Sequence, residues 1–229
     1  MKLFCFPYAG GLSTLTYSRW TKLLDKQIKV IPVELPGREK EISVGSFSSL
    51  MEAVDKLKDK LERDLDGDYA FWGHSMGVIV VYELVKKIQE TNLNLPKHIF
   101  LSGKKPLHLT ETREAVHTFS DHEFIDYVYS LNGTKTDILR DTQLRDVFLP
   151  ILRKDFEIIY HYEHKHDEKS INVPTTIMFG SEEDISDYEK IRWNELICND
   201  CKIYTLPGNH FFIDNNDKEI TSIIERTIL

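Results

Sequence analysis

The 229-residue chain carries a net charge of −8 and is 41% hydrophobic, so it holds enough apolar side chain for a sizeable core and is no candidate for disorder. The negative charge argues against nucleic-acid binding, which draws most of its affinity from a basic stripe, and against resting on an anionic membrane. No apolar run reaches the roughly 18 residues that a bilayer span needs.

Strand and helix signals alternate from the N-terminus. Residues 2–6 form a short apolar run stopped by Pro7-Tyr8-Ala9-Gly10-Gly11. The run is too short for a signal peptide, which makes the cytoplasm the expected location. Helical spacing follows over about 16–24, and residues 29–35 (KVIPVEL) read as a strand ended by Pro36-Gly37. Residues 49–65 place Leu50, Val54, Leu57 and Leu61 on one face, the i, i+4, i+7, i+11 pattern of a helix with one buried side. Residues 69–72 read as a strand, then comes Gly73-His74-Ser75-Met76-Gly77 and a helix to about 89. Strands are predicted at 98–102, 175–179 and 202–206, and a closing helix at 218–228. Apolar strands alternating with amphipathic helices predict an α/β fold, a mostly parallel sheet with helices on both faces in a single domain. Residues 104–167 interrupt the alternation: Phe124, Val128, Leu131 and Phe148, Ile151, Leu152 have helical spacing, with no strand between them. A helical insertion there is expected to lie as a lid over the carboxyl ends of the strands.

Three cysteines, Cys5, Cys198 and Cys201, are an odd count for a disulfide framework and predict reduced thiols. Cys198 and Cys201 have CxxC spacing but lie between a helical stretch and a strand, without the two further ligands a zinc site needs. They read as incidental thiols, and no metal is expected.

The chemistry is carried by G-x-S-x-G. After the apolar strand and before the helix, this string describes a sharp strand-to-helix turn that exposes a serine hydroxyl at a helix N-terminus, where developing negative charge is favoured. Ser75 is therefore the expected nucleophile of an α/β-hydrolase site. That fold orders its partners as serine, acid, histidine. Of nine histidines only His210 follows the late strands, in the loop Pro207-Gly208-Asn209-His210-Phe211-Phe212, where it is placed to act as the base. The strand at 175–179 ends in Gly180-Ser181-Glu182-Glu183-Asp184, and either Glu183 or Asp184 can orient His210. The oxyanion donors are expected to be the backbone N–H groups of Met76 and of Ala9 or Tyr8.

Five segments together resemble the type II thioesterases, the free-standing editing enzymes of nonribosomal peptide and polyketide synthesis. They are LFCFPYAGG (3–11), ELPGR (34–38), GHSMG (73–77), LPILRKDF (149–156) and GNHFF (208–212). The likeness spans nearly the whole chain and departs at the acid turn, where the family's G-x-x-D pattern meets Glu183. It implies hydrolysis of acyl groups from the phosphopantetheine thiol of acyl- or peptidyl-carrier proteins, by a monomer that needs no cofactor. Two other readings use the same residues: a carboxylesterase for small esters, and a hydrolase-fold binding protein without catalysis. The acidic balance makes long-range steering of an acidic carrier weak, so Lys104, Lys105 and Arg113 at the start of the insertion are the expected docking cations.

Overall fold

The computed structural model describes residues 1–36, 38, 47–109, 114–131, 139–165 and 171–229. Six strands, β1 (Lys2–Phe6), β2 (Lys29–Pro32), β3 (Tyr69–His74), β4 (His98–Ser102), β5 (Thr175–Gly180) and β6 (Cys201–Leu206), form one sheet in the order β2-β1-β3-β4-β5-β6. Every neighbouring pair is parallel. The helices are α1 (Ser13–Thr16), α2 (Trp20–Leu23), α3 (Leu50–Leu61), α4 (Met76–Gln89), α5 (Asp121–Ser130), α6 (Thr142–His161), α7 (Asp187–Ile191) and α8 (Asp217–Ile228).

The two faces of the sheet can be traced by alternate residues. Phe4, Phe6, Tyr69, Phe71, Ile99, Leu101, Ile177 and Phe179 enter the core that α3 and α4 cover. Their neighbours Leu3, Cys5, Ala70, Trp72, Phe100 and Met178 enter the core closed by Trp20 of α2 and Ile220, Ile223 and Ile224 of α8. The period of two in side-chain direction thus puts both faces out of water, as a parallel sheet requires. Helix α4 is buried on nearly every side, from Met76 through Ile88, and each large aliphatic residue it buries contributes roughly 1.5–3 kcal/mol. In α3 the four residues predicted from spacing, Leu50, Val54, Leu57 and Leu61, are all buried, and the Ser49 hydroxyl caps the helix by accepting the Glu52 N–H.

Three local expectations shift. The stretch at 16–24 divides into the single turns α1 and α2. Strand β2 stops at Pro32, and the chain leaves the sheet after Val33, whose N–H still donates to the Cys5 carbonyl at 2.9 Å. Strand β3 runs two residues further than the apolar run, so its last residue is His74, beside Ser102 of β4. The insertion is helical in its described parts, with a small core of its own built on Phe124, Leu149 and Leu152. Asp141 caps α6 through the N–H groups of Gln143 and Leu144, and Pro150 sits inside the helix, where its ring removes one backbone donor. Among the described residues no helix is long and apolar enough to cross a membrane. Cys5 is buried, Cys198 exposed and Cys201 intermediate, all as free thiols.

His98 at the start of β4 is buried, with Nε2 at 2.9 Å from the Thr176 hydroxyl. Burial, helped by Lys202, pushes it down to about 4. A histidine depressed in the folded state contributes stability above its unfolded pKa of about 6.5, and loses it as pH falls through the folded value. The thermal midpoint is expected to drop between about pH 6.5 and pH 4, and His98→Asn to flatten part of that slope in calorimetry. Superimposable slopes for both proteins would refute the assignment.

Candidate active site

Ser75 lies between the end of β3 and the start of α4 with φ 54°, the one non-glycine residue at positive φ among those described. That backbone is strained by about 1–3 kcal/mol and persists because its surroundings over-determine it. The Ser75 N–H donates to the Ser102 carbonyl at 2.8 Å. A Cβ on Gly73 would stand 2.3 Å from the Gly77 carbonyl oxygen, and one on Gly77 would stand 2.6 Å from that of Phe6. Both glycines of the motif are therefore demanded by backbone-to-backbone contact, and Ser75 is left at the N-terminus of α4.

The loop after β1 closes as a tight turn. The Gly11 N–H donates to the Tyr8 carbonyl at 2.9 Å, and Gly10 takes φ 72°. Outside the turn, the Gly10 N–H donates to Asp155 Oδ2 at 2.6 Å, and Arg38 Nη1 donates to the Gly11 carbonyl at 3.1 Å. Arg38 and Asp155 form an ion pair through Nη2 and Oδ1, with side-chain exposures of 3% and 2%. Burial lifts the Asp155 carboxyl, while Arg38 and the Gly10 amide pull it back toward the charged form. Removing one partner of such a pair commonly costs about 3–5 kcal/mol. Sequence reading did not single out either residue for a role. Their only signal was membership of the ELPGR and LPILRKDF segments, 117 positions apart.

The acid turn and the histidine loop are laced together. The Ser181 N–H donates to the Leu206 carbonyl, Glu182 N–H to that of Gly208, and Gly208 N–H to the Ser181 hydroxyl. A Cβ on Gly180 would come within 2.5 Å of the Asn209 carbonyl oxygen. Within this frame Glu183 Oε1 stands 2.7 Å from His210 Nδ1, and Oε2 accepts the Gly180 N–H at 2.8 Å. The Glu183 side chain is only 6% exposed. Asp184, the other carboxylate that the sequence leaves open, is solvent-exposed, and the partner of Nδ1 is Glu183. The placement of Glu183 has a simple cause: its second carboxylate oxygen is anchored on the turn's own amide.

His74, inside the motif, packs against His210 with ring centroids 5.1 Å apart, and its Nδ1 lies 3.0 Å from the Ser102 hydroxyl. Burial, then the His210 charge, pushes it well below the ordinary imidazole range, so it stays neutral. Gly103, at φ 65°, makes the pair possible, since a Cβ there would meet His74 Cε1 at 2.6 Å and His210 Cε1 at 3.3 Å.

Two cavities meet at these residues. Leu12, Leu15, Val128, Leu139, Phe148 and Leu152 give the first an apolar wall. The second is more polar and includes Lys104, Lys105, Glu114, Tyr127, Tyr160 and Glu183. Ala9, Ser75, Leu131, Phe156 and His210 line both. Lys105 forms an ion pair with Glu189 at 3.1 Å, so its charge is partly spent within the chain. Arg113 lies outside the described residues.

The model of the thioesterase domain matches residues 1–228. The chain belongs to the thioesterase family. It is accordingly a hydrolase acting on thioesters. The gramicidin S biosynthesis protein GrsT of Aneurinibacillus migulanus is 32% identical over 222 residues, covering 96% of this chain and 86% of GrsT. The medium-chain S-acyl fatty acid synthase thioesterase of Homo sapiens is 29% identical over 233 residues, covering 97% and 85%. The crystal structure of ClbQ from the colibactin NRPS/PKS pathway is similar with a TM-score of 0.92 at 27% identity, covering 99% of this chain and 96% of that one.

For this thioesterase the geometry separates the two carboxylates. Glu183→Gln is expected to lower kcat by about 10²- to 10⁴-fold, since an amide against Nδ1 favours the wrong tautomer, while Asp184→Asn stays within about threefold of wild type. Steady-state kinetics on a small acyl thioester decides it. Equal effects from the two variants would mean that His210 is oriented by another group.

Proposed function

We propose that this thioesterase removes acyl or aminoacyl groups from the phosphopantetheine arm of carrier proteins, clearing stalled modules of a nonribosomal peptide or polyketide synthetase. The observation that carries the reading is the meeting of two unlike cavities at Ser75 and His210. The apolar one suits an acyl chain, and the polar one suits the amide-rich pantetheine arm. The kinship with GrsT, a gramicidin S biosynthesis protein, supports the biosynthetic setting.

In the proposed mechanism His210, oriented by Glu183, takes the Ser75 proton as Oγ attacks the thioester carbonyl. The N–H groups of Met76 and Ala9 receive the oxyanion. The Glu183 side chain against Nδ1 stabilises the imidazolium that forms. The pantetheine thiol leaves readily, since its reference pKa of about 8.5 is far below that of an alcohol. His210 then activates a water that attacks the acyl-serine and releases the acid. The chain's own groups carry every step. Helices α5 and α6 of the insertion serve as the lid over this path, and the enzyme acts as a monomer in the cytoplasm beside its synthetase.

Ser75→Ala is expected to abolish turnover, by several orders of magnitude, while the thermal midpoint changes little. Wild type should hydrolyse an acyl-carrier protein with a higher kcat/KM than a p-nitrophenyl ester. Retention of more than about a tenth of the turnover by the alanine variant would end the serine mechanism, and a preference for the free ester would favour the carboxylesterase.

Lys104 and Lys105 flank the polar cavity, and we place the carrier's acidic surface against them. The double reversal to glutamate is expected to raise KM for acyl-carrier protein about tenfold and leave KM for an acyl-N-acetylcysteamine within about twofold, as rim charges act mainly on encounter. Parallel losses on both substrates would show that these lysines support the cavity instead.

A further inference from the structure

We propose that Asp155, held in place by Arg38, is a positioning residue that aims the Ala9 N–H at the reacting carbonyl and so ties the oxyanion site to the covering helix α6. The inference rests on the reading of Ala9 as an oxyanion donor and adds a residue that reading does not contain.

A backbone N–H points where its peptide plane points, and the Ala9 N–H shares a plane with the Tyr8 carbonyl. That carbonyl is fixed by the Gly11 N–H at 2.9 Å. The next plane, between Ala9 and Gly10, carries the Gly10 N–H, which Asp155 Oδ2 holds at 2.6 Å. The Gly11 carbonyl, in the plane that follows the turn, is held by Arg38 Nη1 at 3.1 Å. Both planes flanking Ala9 are thereby fixed, and with them the two dihedrals that set its amide direction. Two of the three contacts come from the buried ion pair. A buried pair adds little net stability over an apolar replacement of the same volume, so stability by itself is a weak reason for one here. Pre-organised donors are what oxyanion stabilisation requires, because an amide that must reorient during the reaction loses most of its effect.

The placement of Asp155 adds a second consequence. It lies on α6 one turn after Leu152, whose Cδ1 occupies the space a Cβ on Gly10 would take, at 2.5 Å. The same turn of helix that walls the acyl cavity through Leu152 and Phe156 thus also holds the oxyanion loop. Any opening of the cover that lifts this part of α6 releases the Gly10 N–H and disarms the site. Movement that admits substrate is then confined to the rest of the insertion, or it switches catalysis off while the site is open.

The test compares Asp155→Asn with Phe124→Leu. Phe124 is fully buried in the insertion and lines neither cavity, so its variant loosens the cover without touching the pair. On an acyl-N-acetylcysteamine, Asp155→Asn is expected to lower kcat by about 30- to 300-fold, approaching the loss of one oxyanion donor, with KM within about threefold. The affinity for an alkyl boronic acid, which forms a tetrahedral adduct on the serine, should fall in parallel with kcat. Phe124→Leu should lower the thermal midpoint and leave kcat within about threefold of wild type. If Asp155→Asn does not fold, Arg38→Lys serves: it keeps the charge opposite Asp155 but forfeits the second bond to the Gly11 carbonyl, and a kcat loss of about tenfold at unchanged KM is expected. A kcat within threefold of wild type in the folded Asp155 variant, or failing that in the Arg38 variant, overturns the proposal. So does an unchanged boronate affinity, or an equal kcat loss in Phe124→Leu. None of these outcomes touches the serine mechanism, which stands or falls with Ser75→Ala.

Discussion

The architecture of the site depends on one strained residue. Ser75 holds a backbone conformation that a side chain rarely adopts, and the chain around it leaves no other. Gly73 and Gly77 lie against backbone that cannot retreat, the Ser75 amide is fixed on β4, and α4 is buried on almost every side. Strain of a few kcal/mol at one position is small beside the burial of that helix, so the sheet can impose it. The result is a hydroxyl held proud of the sheet at a helix N-terminus, and every other group of the site is placed in relation to it.

Three loops converge on that hydroxyl, held by two kinds of contact. The histidine loop and the acid turn are laced to each other by hydrogen bonds just past the ends of the neighbouring strands β5 and β6. They share the imidazole and the carboxylate between them. The loop after β1 is held instead by a buried ion pair reaching in from ELPGR and from the insertion. His74 and Gly103 add a packing constraint beneath His210: a neutral ring that cannot compete for the proton, seated where only a glycine leaves room. The histidine with its carboxylate and the loop after β1 are thus braced by different parts of the chain.

The two cavities express a division that follows from polarity. An acyl chain gains by leaving water, and the apolar wall from Leu12 to Phe156 offers that gain. A pantetheine arm carries amides that must keep hydrogen-bond partners, and the second cavity has lysine, glutamate and tyrosine side chains along it. Both cavities open on Ser75 and His210, so in the proposed mode of binding the thioester bond is the point at which the substrate changes surroundings.

Much of this was readable from the residues in order. Alternation of apolar strands and helices carried the parallel sheet, and the four-residue face of α3 came out as spaced. The G-x-S-x-G string predicts the strand-to-helix turn that holds Ser75, and chain order predicts a histidine in the loop after β6, because these signals are local or depend only on sequence direction. Choosing between Glu183 and Asp184 was beyond the sequence: adjacent carboxylates on a turn are chemically alike, and only the direction each side chain takes separates them. The partnership of Arg38 with Asp155 was likewise silent, since two residues 117 positions apart acquire their meaning when the fold buries both against one loop. Local chemistry and periodicity determined the fold class and the serine motif, and the resemblance pointed to thioesters, whereas burial and long-range contact, which depend on where the whole chain packs, decided which side chains meet at the site.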